Sequence, residues 1–99
     1  MKKIVSYLGF AIKSNKIVYG QDNLEKYHKK MYLILVCHTA KEKMIDFAKA
    51  KAKDLGCKLA MTNDDLSILI SRDNCKILGI TNESLSSAVL TCTDDIDIL

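Results

Sequence analysis

The sequence predicts an α/β fold: a three-layer α/β/α sandwich on a four-stranded mixed sheet with about five helices. Three observations point there. Stretches with helical apolar spacing alternate with short β-branched runs, in the order α-β-α-β-α-β-α-β-α. Such an order places helices between strands, and so on both faces of a mainly parallel or mixed sheet. The run Met31 to Cys37 (MYLILVC) is continuously apolar, as a strand buried on both faces requires. Proline is absent and only four glycines occur, which fits regular elements joined by short loops.

Each element has its own signal. Ile4, Leu8, Ala11 and Ile12 recur at helical spacing and predict a first helix from about Lys3 to Lys13. Ser14-Asn15-Lys16 breaks it. Ile17-Val18-Tyr19, closed by Gly20, reads as a short strand. Leu24 and Tyr27 among polar neighbours predict a half-buried helix over residues 21–30. After the buried strand, Thr39-Ala40-Lys41-Glu42 has capping-box spacing. The helix it opens should bury Met44, Ile45, Ala48, Ala52 and Leu55, keep Lys41, Lys43, Lys49, Lys51 and Lys53 wet, and end at Gly56. Cys57 to Met61 is a strand. Thr62-Asn63-Asp64-Asp65 starts a short helix carrying Leu66, Leu69 and Ile70. The polar loop Ser71–Asn74 precedes a strand from Lys76 to Ile80. Thr81 or Asn82 caps a last helix through Leu85, Ala88, Val89 and Leu90.

Ninety-nine residues suffice for one domain, expected over residues 1–90. Residues 91–99 lose periodicity and read as a short, frayed acidic tail. An apolar share of 48% with 27% charged residues excludes a disordered, collagen-like or low-complexity chain. The net charge of +3 combines 15 basic with 12 acidic residues. Asp94, Asp95 and Asp97 lie in the tail, which has no basic residue. The body therefore holds 15 basic against 9 acidic residues, a net of +6. A basic body points to a polyanionic partner.

Cys37, Cys57, Cys75 and Cys92 form no CxxC pair, and His28 and His38 complete no zinc pattern. They read as small buried hydrophobes in a reducing compartment, with no metal. Cys37 and His38 are adjacent, and neighbours on a strand point to opposite faces, which argues against a cooperating pair. Lys2-Lys3 and the apolar run to Ile12 resemble a short signal peptide, but Ser6 interrupts the run and no cleavage site follows. The run is too short to span a bilayer. A cytoplasmic protein with no membrane partner is expected.

Motifs for chemistry are missing. No G-x-G-x-x-G follows a strand, and neither a P-loop nor a G-x-S-x-G turn occurs. The acidic pairs Asp64-Asp65 and Asp94-Asp95 lie at a helix start and in the tail. No enzyme and no cofactor are expected. What remains is a basic segment around one strand–helix turn: Lys16, then Gly20, then Gln21-Asp22-Asn23, then Lys26, Lys29 and Lys30. A helix start offers unpaired amides to a phosphate or base edge, and glycine permits close backbone approach. Lysines follow the RNA backbone electrostatically. The same residues also read as an ordinary helix cap beside a solvated lysine face.

Leu8-Gly9-Phe10-Ala11, Lys16 to Gly20, Lys26, Tyr32 to Val36, Asp65-Leu66 and Gly79-Ile80-Thr81-Asn82-Glu83-Ser84-Leu85 occur in an order that resembles the ribosomal protein L-seven-Ae / L-thirty-e family, in its bacterial stand-alone form. The resemblance covers roughly residues 5–90 and implies an α/β/α sandwich that binds kink-turn RNA by shape and exposed base edges. The family signature at the second helix is Gly, any residue, Asn, Glu, two residues, Lys. Gly20 and Lys26 match it, while the Asn position is Asp22 and the Glu position is Asn23. Two loop positions where the family favours glycine are Ser67 and Ser71.

The expected function is therefore non-enzymatic binding of structured, kink-turn-like RNA, ribosomal RNA among the candidates, by a monomer. Lys16, Gly20, Gln21, Asp22, Asn23, Lys26, Lys29 and Lys30 would contact it with Ser71 and Arg72 from the loop before the last strand. The alternative is a protein-interaction module on the same fold, its RNA site degenerate. An enzyme built on Cys37 or His38 ranks third.

Overall fold

The computed structural model describes residues 2–99. Ten elements follow in order: α1 Lys3–Lys13, β1 Ile17–Tyr19, α2 Gly20–Lys26, β2 Leu33–Cys37, α3 Glu42–Leu55, β3 Lys58–Thr62, α4 Leu66–Leu69, β4 Ile77–Ile80, α5 Glu83–Leu90 and β5 Ile96–Ile98. The fold is α/β, with five helices and a mixed sheet in the order β1-β4-β2-β3-β5. β2 and β3 run parallel, and every other pairing is antiparallel.

The sheet has five strands, not the expected four. The fifth comes from the segment read as a frayed tail. Ile96 pairs with Thr62 and Ile98 with Ala60, and Ile96 and Cys92 are buried. Three aspartates hid this strand: one apolar position at a sheet edge needs only Ile96 to point inward, and an edge strand tolerates charge on its other face.

β2 is central and fully buried. Its alternate residues enter two separate core clusters, as strand pleating requires. Leu33, Leu35 and Cys37 join Ile4 and Leu8 of α1, Leu66 and Leu69 of α4 and Val89 of α5. Ile34 and Val36 join Leu24 of α2 and Ala48 and Ala52 of α3. Gly79 on β4 belongs to the second side. A Cβ there would lie 2.6 Å from the Met31 thioether and 2.9 Å from Leu24, so glycine leaves room for both side chains.

Three local expectations change. α2 ends at Lys26, not residue 30, because Tyr27 turns extended (ψ 123°) and its hydroxyl donates to the Lys30 carbonyl. No capping box opens α3: its N-cap is Lys41, without a side-chain hydrogen bond, because the chain first turns at Cys37–Ala40. Lys51 is not on the wet side but buried, its ammonium donating to the Glu25 carbonyl at 3.3 Å. The helix starts at α4 and α5 follow their signals. Asp65 accepts from the Ser67 amide, and Asn82 from the Leu85 amide.

Candidate nucleic-acid interface

Strand register decides which loops share an end of the sheet. Tyr19 pairs with Leu78, Val36 with Ile77 and Cys37 with Thr62, so the loops after β1, β2 and β3 meet the loop before β4 at one end. Gly20, Gln21, Asp22, Asn23, Ser71 and Arg72 all lie at this end. Lys16 and Lys30 do not. The Lys16 carbonyl accepts from the Thr81 amide, and the Tyr32 amide donates to the Ile80 carbonyl, both at the opposite end. Lys29 neighbours Lys30 there, and Lys26 closes α2 between the two. Lys16, Lys29 and Lys30 are thus separated from the Gly20 turn by the length of the sheet.

At the turn, Gly20 has φ +80°, a left-handed value that disfavours side chains. A Cβ there would meet nothing within 4 Å, so conformation, not crowding, calls for glycine. Neither Asp22 nor Asn23 caps α2. Its N-cap is Tyr19, with no side-chain bond, and the Asn23 side-chain amide (Nδ2) donates to the Tyr19 carbonyl at 2.8 Å. Asp22 is exposed. With seven residues, α2 also has a smaller dipole than the longer predicted helix.

The loop before β4 is held shut by Ser67. Its hydroxyl accepts from the Cys75 amide at 3.0 Å and donates to the Cys75 carbonyl at 3.1 Å. Ser71 (φ +54°) and Asn74 (φ +58°) both take the left-handed conformation. Ser71 thus keeps a backbone that suits glycine, at a position where the resemblance places glycine. The same loop delivers Arg72 onto Tyr19, the guanidinium 4.0 Å from the ring centroid. This cation–π contact is worth about 0.5–1 kcal/mol at an exposed site. It joins the two segments of the predicted site.

The sequence reading missed a neighbouring cleft of about 310 Å³, lined by Gln21, Thr39, Ala40, Lys41, Lys43, Met44 and Lys76. Three lysines share it, with an apolar wall from Ala40 and Met44. The Lys76 ammonium donates to the Thr39 hydroxyl at 2.8 Å and lies 3.8 Å from the Asp65 carboxylate. Lys41 and Lys43 were legible only as solvated helix lysines. Strand register alone brings them to Gln21.

Cys37 adjoins this cleft. Its sulfur is 3.1 Å from the Thr39 hydroxyl and 4.0 Å from both His38 Nδ1 and Asp65 Oδ1. Burial, the largest single influence, pushes the thiol pKa up. Hydrogen bonds from the Thr39 hydroxyl and from the Leu66 and Thr39 amides, with the Lys76 charge, outweigh it and hold the pKa below the usual thiol value. Burial pushes Cys57, Cys75 and Cys92 up. All four are free thiols.

Asp94 and Asp95 lie far from the β1–α2 turn, with β5 on the opposite edge of the sheet. Lys2 bonds Asp64 and lies 3.4 Å from Asp95, so this part of the tail is tied to the N-terminus and does not cover the turn. Among the described residues no group of three or more His, Cys, Asp or Glu side chains is placed to hold a metal ion. No described helix is long and apolar enough to cross a membrane.

No family model and no curated protein matches the chain. The fold is similar to the solved structure of a protein with unknown function from Bacillus halodurans C, with a TM-score of 0.80 at 14% identity, over 96% of this chain and 100% of that one. At that identity the likeness concerns the fold alone.

Proposed function

We propose that the protein is a non-enzymatic RNA-binding protein of the L-seven-Ae type, a three-layer α/β/α sandwich that grips structured, kink-turn-like RNA at the α2 end of its sheet. The observation that carries this reading is the stacking of Arg72 on Tyr19. It unites the turn at Gly20 with the loop before β4, the two segments from which the resemblance builds its RNA site. Lys41, Lys43 and Lys76 extend that surface with charge, and the cleft between them has an apolar wall against which an unpaired base can lie. Gln21 and Asp22 remain to read base edges, and Lys26 follows the backbone. Lys16, Lys29 and Lys30 act only through their long-range field. A monomer in the cytoplasm, with ribosomal RNA among its candidate targets, completes the reading.

Two observations favour a second reading, a protein-interaction module on the same fold. The Asn23 amide is committed to the Tyr19 carbonyl, and Asp22 brings a carboxylate to the first turn of α2. The two readings part in a titration against a kink-turn hairpin and a plain duplex of equal length. RNA recognition predicts preference for the kink-turn and a log–log salt slope of about −0.7 to −0.9 per phosphate contact. An interaction module binds both RNAs weakly and alike.

A further inference from the structure

The sheet end away from the proposed RNA face holds a second cleft, of about 240 Å³, whose lining includes Lys30, Tyr32, Lys58, Glu83, Ser86 and Ser87. Register explains the assembly. Lys58 opens β3 opposite Leu33, and Tyr32 bonds Ile80, the last residue of β4 before α5. Two features make this cleft chemically unfinished. Lys30 lies over the Tyr32 ring, 5.5 Å from its centroid, and among the described residues neither Lys30 nor Lys58 forms an ion pair. The Ser86 hydroxyl is buried, on a residue 2% exposed, and has no hydrogen-bond partner among the described residues. A buried hydroxyl left unpaired is costly, and a ligand seated in the cleft is a partner that would relieve that cost.

We propose that this cleft binds a small phosphomonoester. Lys30 and Lys58 supply charge to the phosphate. The Ser86 and Ser87 hydroxyls donate to its oxygens, Ser86 by a χ1 change between staggered wells. Glu83 lines the same space. It disfavours a ligand that is anionic throughout and accepts hydrogen bonds from hydroxyl groups, so the organic part is a polyol or a sugar. The proposal uses none of the residues of the α2 end and stands or falls apart from the RNA reading.

The test is a series of amide NMR titrations of the full chain with ribose 5-phosphate, ribose, inorganic phosphate and a short single-stranded RNA. Ribose 5-phosphate is expected to shift the resonances of Gly56, Lys58, Ser86 and Ser87 and to leave Gly20 and Arg72 in place, with ribose alone without effect. The pair Lys30→Ala and Lys58→Ala should weaken binding at least about tenfold, since two charge-assisted contacts are removed. Ser86→Ala should weaken it severalfold while melting no lower than the parent without ligand, because an unpaired hydroxyl has been removed. The proposal is overturned if millimolar ribose 5-phosphate moves nothing at the cleft, or if the shifts survive the double lysine variant. It is overturned equally if only the RNA shifts these residues, which makes the cleft a backbone contact, or if inorganic phosphate shifts every lysine-bearing face alike.

Discussion

The two ends of the sheet are built on the same strands and differ in how their charge is held. At the α2 end two basic groups, Arg72 and Lys76, are fixed, beside the exposed Lys41 and Lys43. Arg72 lies on Tyr19, and Lys76 is bonded to Thr39 and close to Asp65. Loop backbone there is held in left-handed conformations at Ser71 and Asn74, closed by Ser67. At the other end Lys16, Lys29 and Lys30 are exposed, and only Lys30 has an aromatic contact. A protein that reads the shape of a folded RNA needs donors whose positions are set before binding, because ordering a loose side chain subtracts from affinity. Positive charge is common to both ends; preorganisation distinguishes them.

The largest expected effect removes the comparison altogether. Leu35 lies at the centre of β2, fully buried against the α1 side. Leu35→Ala should cost about 3 kcal/mol in chemical denaturation, with the loops of both ends loosened together.

The next separates the ends. Lys41→Ala with Lys76→Ala should weaken kink-turn binding by about 2 kcal/mol and flatten its salt dependence. Lys16→Ala with Lys30→Ala removes the same formal charge and should change affinity by less than about 0.5 kcal/mol at physiological salt, where exposed charges beyond the Debye length are screened. Equal losses in a filter-binding series would mean that RNA reads net charge alone.

A smaller effect probes the loop geometry. Ser71→Gly relieves a left-handed residue and should raise stability by about 0.5 kcal/mol after the added freedom of the unfolded chain is counted. Thermal melting measures it, and a lower melting temperature would deny that the loop is strained.

The smallest concerns Cys37. Its thiolate should be the first to appear in ultraviolet absorbance as pH rises, and Cys37→Ser should remove that first step. Its folded pKa is depressed, so its contribution to stability is present above the unfolded thiol pKa and lost as pH falls through the folded value. The other three thiols are raised and act in the opposite sense. Cys37→Ser should therefore lose stability more steeply than the parent as pH rises through the thiol range.

Much of the fold was legible because its signals are local. The first helix, the first strand and the Gly56 C-cap (φ +66°) need only neighbouring residues to be recognised. β5 was not, because its single inward residue Ile96 is recognisable as strand only once β3 lies beside it. The site was half legible for the same reason. Gly20 and Arg72 stand out in the sequence, but their meeting through Tyr19 depends on the β1–β4 register. Lysines 16 to 30 looked like one cluster around the Gly20 turn because they flank it in sequence, but β1 and α2 carry the chain out and back, so Lys16, Lys29 and Lys30 sit at the end away from that turn. Lys76 and Lys41 are thirty-five positions apart and share a cleft.

The most direct test is a competition titration of the intact protein between a kink-turn hairpin and a duplex of the same length, repeated with Arg72→Ala. The account predicts a kink-turn preference of at least about tenfold, reduced toward unity when Arg72 no longer lies on Tyr19. Equal affinity for the two RNAs, or a preference untouched by Arg72→Ala, would contradict it.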